Sequence, residues 1–95
     1  MEINEKRISE LKARHPEGLY MISVDGKGCI LRKPTRKDLS YVSVVKDPIK
    51  MTETLVNQLW VDGDEEMRTD DDLFMAMSNK MDEILKVKEA EVKKL

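Results

Sequence analysis

Apolar and polar positions along the chain change period from segment to segment, and each change predicts a different element. Ile3, Ile8, Leu11 and the half-apolar His15 recur at roughly helical spacing, Asn4 stands where a cap belongs, and Pro16 with Gly18 ends the run. That pattern predicts a short amphipathic helix with Glu5, Lys6, Glu10, Lys12 and Arg14 on its solvated face. Residues 19–24 and 29–33 are rich in strand formers and flank Asp25-Gly26-Lys27-Gly28, so they predict a β-hairpin over about residues 19–33. A two-residue loop would pair Ile22 with Cys29, and a four-residue loop would pair Val24 with Cys29. The two registers differ by an even slip, so both keep Tyr20, Ile22, Val24, Cys29 and Leu31 on one face. The other face carries Met21 and Ile30 and also needs cover, from helices or from another subunit.

Pro34 ends the second strand, and Thr35 with Asp38 three residues on forms a capping-box-like start for a helix carrying Leu39, Val42 and Val45. Residues 40–45 are β-branched enough to be a strand on propensity alone, so capping and propensity disagree there. Asp47 and Pro48 then open the clearest amphipathic helix, with Ile49, Thr52, Leu55, Val56, Leu59 and Trp60 along its apolar stripe. Residues 61–66 read as an acidic turn. Thr69 as cap, with Asp70, Asp71 and Asp72 in the first turn, starts a last helix whose Phe74, Met77, Met81 and Ile84 follow a 3-4-3 seam. Beyond residue 85 the seam positions become Lys88 and Glu91, which predicts a protruding helical end over residues 86–95 or an arm that docks through Val87, Val92 and Leu95. The fold class expected is α+β: a mainly helical small domain with one N-terminal β-hairpin and about four helices, in a single domain over residues 1–95.

Composition narrows the chemistry. Charged residues make up 38% of the 95 and aromatics 4%, so the core has to be aliphatic and methionine-rich. A net charge of -2 provides no global attraction to nucleic acid or anionic lipid, so any basic function has to be local. The amino terminus lacks an apolar targeting segment and no stretch is long and apolar enough to span a membrane, which points to a cytoplasmic protein. One cysteine, Cys29, and one histidine, His15, make neither an internal disulfide nor a four-ligand zinc site.

Several stretches imitate functional motifs. Seven acids fall between Asp62 and Asp72. A calcium loop started at Asp62 would need glycine at its sixth position and a carboxylate at its twelfth, where Met67 and Leu73 stand. Gly26-Lys27-Gly28 lacks the spacing of a phosphate loop and sits in a hairpin. Arg32, Lys33, Arg36 and Lys37 form the one local basic feature, a solvated or protein-facing junction before it is a nucleic-acid site, because no aromatic interleaving or recognition helix accompanies it. This basic junction and the acidic turn on the same small domain also allow a head-to-tail homo-oligomer. Trp60 is read first as the anchor closing the core and second as a partner-facing contact. Met77 and Met81 fill the core or supply an adaptable interface, and Val92 is a contact on the arm. No catalytic, cofactor-binding or metal-binding residue is expected, and no cofactor.

The order Ile30-Leu31-Arg32-Lys33-Pro34-Thr35-Arg36, then Asp47-Pro48-Ile49-Lys50, then Leu59-Trp60-Val61-Asp62-Gly63-Asp64-Glu65-Glu66, then Asp70-Asp71-Asp72-Leu73-Phe74 resembles small tail-assembly-chaperone-type proteins of tailed phages and prophages. It covers residues 30 to 85. The resemblance implies a non-enzymatic cytoplasmic factor that binds the tape measure protein and keeps it soluble until the tail tube polymerises around it. It implies no catalytic residues. A small nucleic-acid-associated regulator using the basic junction, residues 32–37, is the alternative.

Overall fold

Asn4 accepts the Arg7 N–H at 2.8 Å through its side chain, and this cap opens helix α1, Glu5–Arg14. A computed structural model describes residues 4–85 and 90–95 of the chain. The expectations placed on Ile3, Val87 and Lys88 lie outside the described residues. Strands β1, Leu19–Val24, and β2, Lys27–Arg32, follow as a hairpin. Both central turn residues have positive φ, Asp25 at 49° and Gly26 at 78°, which is the twist that a two-residue turn needs to match right-handed strands. The tight register therefore holds, with Ile22 opposite Cys29 and Val24 opposite Lys27.

Helix α2, Arg36–Val42, is opened by the reciprocal Thr35/Asp38 capping box; residues 40–42 are helical despite their strand propensity, and the helix ends before Val45, which was expected on its stripe. Helix α3, Pro48–Leu59, begins where the Asp47 carboxylate accepts the N–H groups of Ile49 and Lys50. Ile49, expected on the apolar stripe, lies in the first turn, well before the buried positions that begin at Leu55, and is 56% exposed.

Two features depart from the expectation. Trp60 does not continue the helix, and the segment after it is not simply a turn: Trp60–Gly63 forms strand β3, antiparallel to β2, completing a sheet of order β1-β2-β3. Leu31 opposes Trp60 while Ile30 opposes Asp62, so Val61 is the extra residue of a bulge. The strand closes at Gly63, whose φ is 151° and where an added Cβ would lie 2.6 Å from the Cys29 Cα and 2.8 Å from the Gly28 carbonyl oxygen. Only glycine allows that approach.

The second departure is at the last helix: a short helix α4, Glu66–Thr69, precedes it where a turn and cap were expected, and the helix itself is divided into α5, Asp71–Ser78, and α6, Met81–Ile84. Asp70, not Thr69, caps α5 by accepting the Leu73 N–H at 3.1 Å. At the break after Ser78, the Lys80 N–H turns back to the Met77 carbonyl at 2.9 Å, a tighter closure than the helical one. The 3-4-3 seam survives this break: Phe74, Met77, Met81 and Ile84 are all buried.

One face of the sheet, through Ile22, Cys29 and Leu31, packs against Val42 of α2, Leu55, Val56 and Leu59 of α3, and the α4–α6 seam with Met67. Leu31, Leu59, Met67 and Met77 are essentially sealed from solvent, and burial of such side chains stabilises by roughly 1.5–3 kcal/mol each before conformational entropy is counted. Ile30 on the opposite face is 4% exposed and lines one cavity with Ile8 and Leu11 of α1, where Leu11 is 2% exposed. Elements of the same chain thus pack on both sheet faces, while Met21 at the β1 edge stays 50% exposed.

Candidate functional site

The basic junction is built on the corner between β2 and α2. Strand β2 delivers Arg32, Pro34 releases the chain, and the α2 capping box fixes Asp38 beside the guanidinium. The pair is bidentate, with Arg32 Nη1 donating to Asp38 Oδ2 at 2.6 Å and Nη2 to Oδ1 at 2.8 Å. Asp38 is 4% exposed. It accepts further hydrogen bonds from the Thr35 N–H at 2.8 Å, the Thr35 hydroxyl at 3.0 Å and the Gln58 side-chain amide at 3.3 Å. Arg32 also donates to the Gln58 carbonyl at 3.1 Å, so the corner ties β2, α2 and α3 together. The Arg32 guanidinium, working against the burial of Asp38 and helped by Thr35 and Gln58, holds the carboxyl well below the usual carboxylate range. Of the four expected basic residues, Arg32 is engaged internally, while Lys33, Arg36 and Lys37 are exposed.

Trp60 lies at the second corner. It is half-buried, packed against the core at the start of β3, and the Arg68 guanidinium stacks 4.0 Å from its ring centroid. Arg68 is held there by Glu65, to whose carboxylate it donates at 2.7 and 2.8 Å, and by Asn57 Oδ1 at 3.2 Å. Arg68 Nε is buried with no hydrogen-bond partner among the described residues. A shallow cavity of about 320 Å³ opens beside this cluster, lined by Glu53, Val56, Asn57, Glu65, Arg68 and Phe74. Sequence reasoning placed Trp60 but missed Arg68; the spacing of Glu65 and Arg68 on one helical turn was the available signal.

The acidic run is divided among separate structural tasks. Asp62 receives Arg7 of α1 at 3.4 Å. Asp64 exchanges backbone and side-chain hydrogen bonds with Gly28, its N–H donating to the carbonyl at 2.8 Å and its carboxylate accepting the N–H at 2.9 Å. Glu66 lies 3.8 Å from Lys27, and Asp70 caps α5. Among the described residues no group of three His, Cys, Asp or Glu side chains is placed to hold a metal ion. Cys29 is fully buried, its thiol donating to the Met77 sulfur at 3.5 Å between the two sulfurs, and burial pushes its pKa up to about 11. Such a thiol is a packing group at neutral pH, not a nucleophile. His15 pairs with Glu17 at 3.2 Å near the end of α1.

Met77 and Met81 are core residues, 0% and 3% exposed, so neither presents a surface in this fold. Val92 is 98% exposed, and described residues 90–95 carry no helix. The large apolar side chains that do reach the surface are elsewhere: Leu39 and Tyr41 on α2, Val44 in the following turn, Ile49 at the start of α3, Met75 on α5, and Tyr20 and Met21 on β1. No described helix is long and apolar enough to cross a membrane. Comparison with protein-family models, curated proteins and solved structures finds no match to this chain.

Proposed function

We propose that the chain is a non-enzymatic, cytoplasmic protein-binding factor of the tail-assembly-chaperone type, holding a tape measure protein soluble before tail assembly. The observation that supports a protein partner is the exposure of Tyr41 at 61%, Val44 at 78% and Ile49 at 56% along the α2–α3 connection. Lys46 and Lys50 are exposed in the same stretch. Apolar side chains interspersed with cations suit an amphipathic, acidic helix of a client, which would bury the former and pair with the latter. The nucleic-acid alternative is weaker than the residue run suggests, because Arg32 is turned inward and three exposed cations remain at that junction.

Co-expression with a tape measure protein tests the reading. A soluble complex is expected, and replacing Tyr41 and Val44 together by serine should lower its recovery several-fold without changing the circular dichroism of the chain. A client that is soluble alone and never co-purifies would remove the proposal. Salt-sensitive binding to DNA or RNA, lost on replacing Lys33, Arg36 and Lys37, would favour the alternative instead.

A further inference from the structure

The two edges of the sheet are unlike. The β3 edge is four residues long, carries a bulge and Asp62, and ends at Gly63, where no side chain fits. Those are the features by which sheet edges resist further pairing. The β1 edge has none of them. Its six residues, Leu19-Tyr20-Met21-Ile22-Ser23-Val24, contain no charge, proline or glycine and run without a bulge.

The tight turn makes Val24 and Lys27 a hydrogen-bonded pair, so Tyr20, Ile22 and Val24 direct their backbone groups to β2. The N–H and C=O groups of Leu19, Met21 and Ser23 therefore point away from the sheet. Among the described residues no hydrogen bond reaches the N–H of any of the three. Tyr20 is 37% and Met21 50% exposed, and Ser23 is exposed between them and the turn. Beside the edge runs an open groove of about 350 Å³, with Ile84, Lys80 and Glu83 of the α6 region along its far wall.

We propose that β1 is a dimerisation edge, pairing antiparallel with β1 of a second copy about a two-fold axis at Met21 to make a continuous six-stranded sheet. The occupant follows from self-complementarity. With Met21 opposite Met21, Tyr20 faces Ile22 and Leu19 faces Ser23, so no like charges meet and an aromatic side chain meets a β-branched one across the axis. The outward groups of Leu19, Met21 and Ser23 form about six main-chain hydrogen bonds across the junction. Two-fold pairing consumes both free β1 edges and leaves only the protected β3 edges outside, so the assembly closes at two copies.

The test uses the full chain. Sedimentation equilibrium should show a monomer converting to a dimer as concentration rises. Amide exchange should slow at Met21 and Ser23 over the same range while Tyr20 and Ile22 stay slow throughout. Met21→Lys and Met21→Glu each place like charges on the axis, and each should weaken association about tenfold or more while circular dichroism is unchanged. Mixing the two variants should restore the dimer as a Lys–Glu heterodimer. A wild-type chain that stays monomeric at millimolar concentration overturns the proposal. So does a dimer whose Met21 and Ser23 amides remain fast, or one that tolerates both variants equally. Protection of those amides only when an extended client peptide is added would assign the edge to the client instead.

Discussion

Asp38 is the residue on which the corner between β2 and α2 depends, because one carboxylate serves as capping-box acceptor, ion-pair partner and acceptor from Gln58. Removing its charge leaves Arg32, whose side chain is 23% exposed, without its main partner. Asp38→Asn should therefore lower stability by about 2–4 kcal/mol, read from urea unfolding at pH 7. The pH dependence follows with a definite sign. The folded carboxyl titrates below its ordinary value of 3.8, so its contribution is complete above that pH and is lost as the pH falls from about 4 downward. Wild type and Asp38→Asn should thus converge in stability on acidification. A stability difference that stayed constant from pH 7 to pH 2 would contradict the role assigned to Asp38.

At the scale of elements, capping residues decided boundaries that hydrophobic spacing left loose. Asn4, Thr35 and Asp47 were legible as caps because each precedes an apolar stripe, and all three accept the expected backbone N–H groups. Thr69 was expected as the cap of the acidic helix start, and Asp70 takes that place one residue later. Asp70 adopts the extended backbone of a cap, with φ -88° and ψ 124°, while Thr69 closes α4 and donates its hydroxyl to the Glu65 carbonyl at 3.3 Å. Asp70→Ala should cost about 1 kcal/mol, and Thr69→Ala should stay within about 0.5 kcal/mol. Thermal unfolding of the two variants checks the assignment, and equal losses would sink it. Strand β3 was illegible for a different reason. Trp60 completes a helical stripe as well as it begins a strand, and four residues are too few to establish a period of two.

For the whole molecule, described residues 90–95 are exposed throughout and lie outside every element. Ending the chain after Ala90 should leave the unfolding free energy within about 0.5 kcal/mol of wild type. A larger loss would mean that this end packs on the domain. The sequence by itself determined the α+β class, the hairpin with Ile22, Cys29 and Leu31 on its buried face, and the starts of α1, α2 and α3, because capping, turn chemistry and apolar period are local. Only the tertiary structure decided which charges are available. Arg32 looks like part of a basic patch until Asp38 is brought against it, and the acids of residues 62–72 look like a binding loop until Arg7, Gly28, Lys27 and the α5 N-terminus divide them. It also decided that Met77 and Met81 are interior and that β1, rather than β3, is the open edge. The division of the acids by Arg7, Gly28 and Lys27, the burial of the methionines and the choice of open edge depend on pairings between residues distant in the chain, which spacing along a single sequence does not encode.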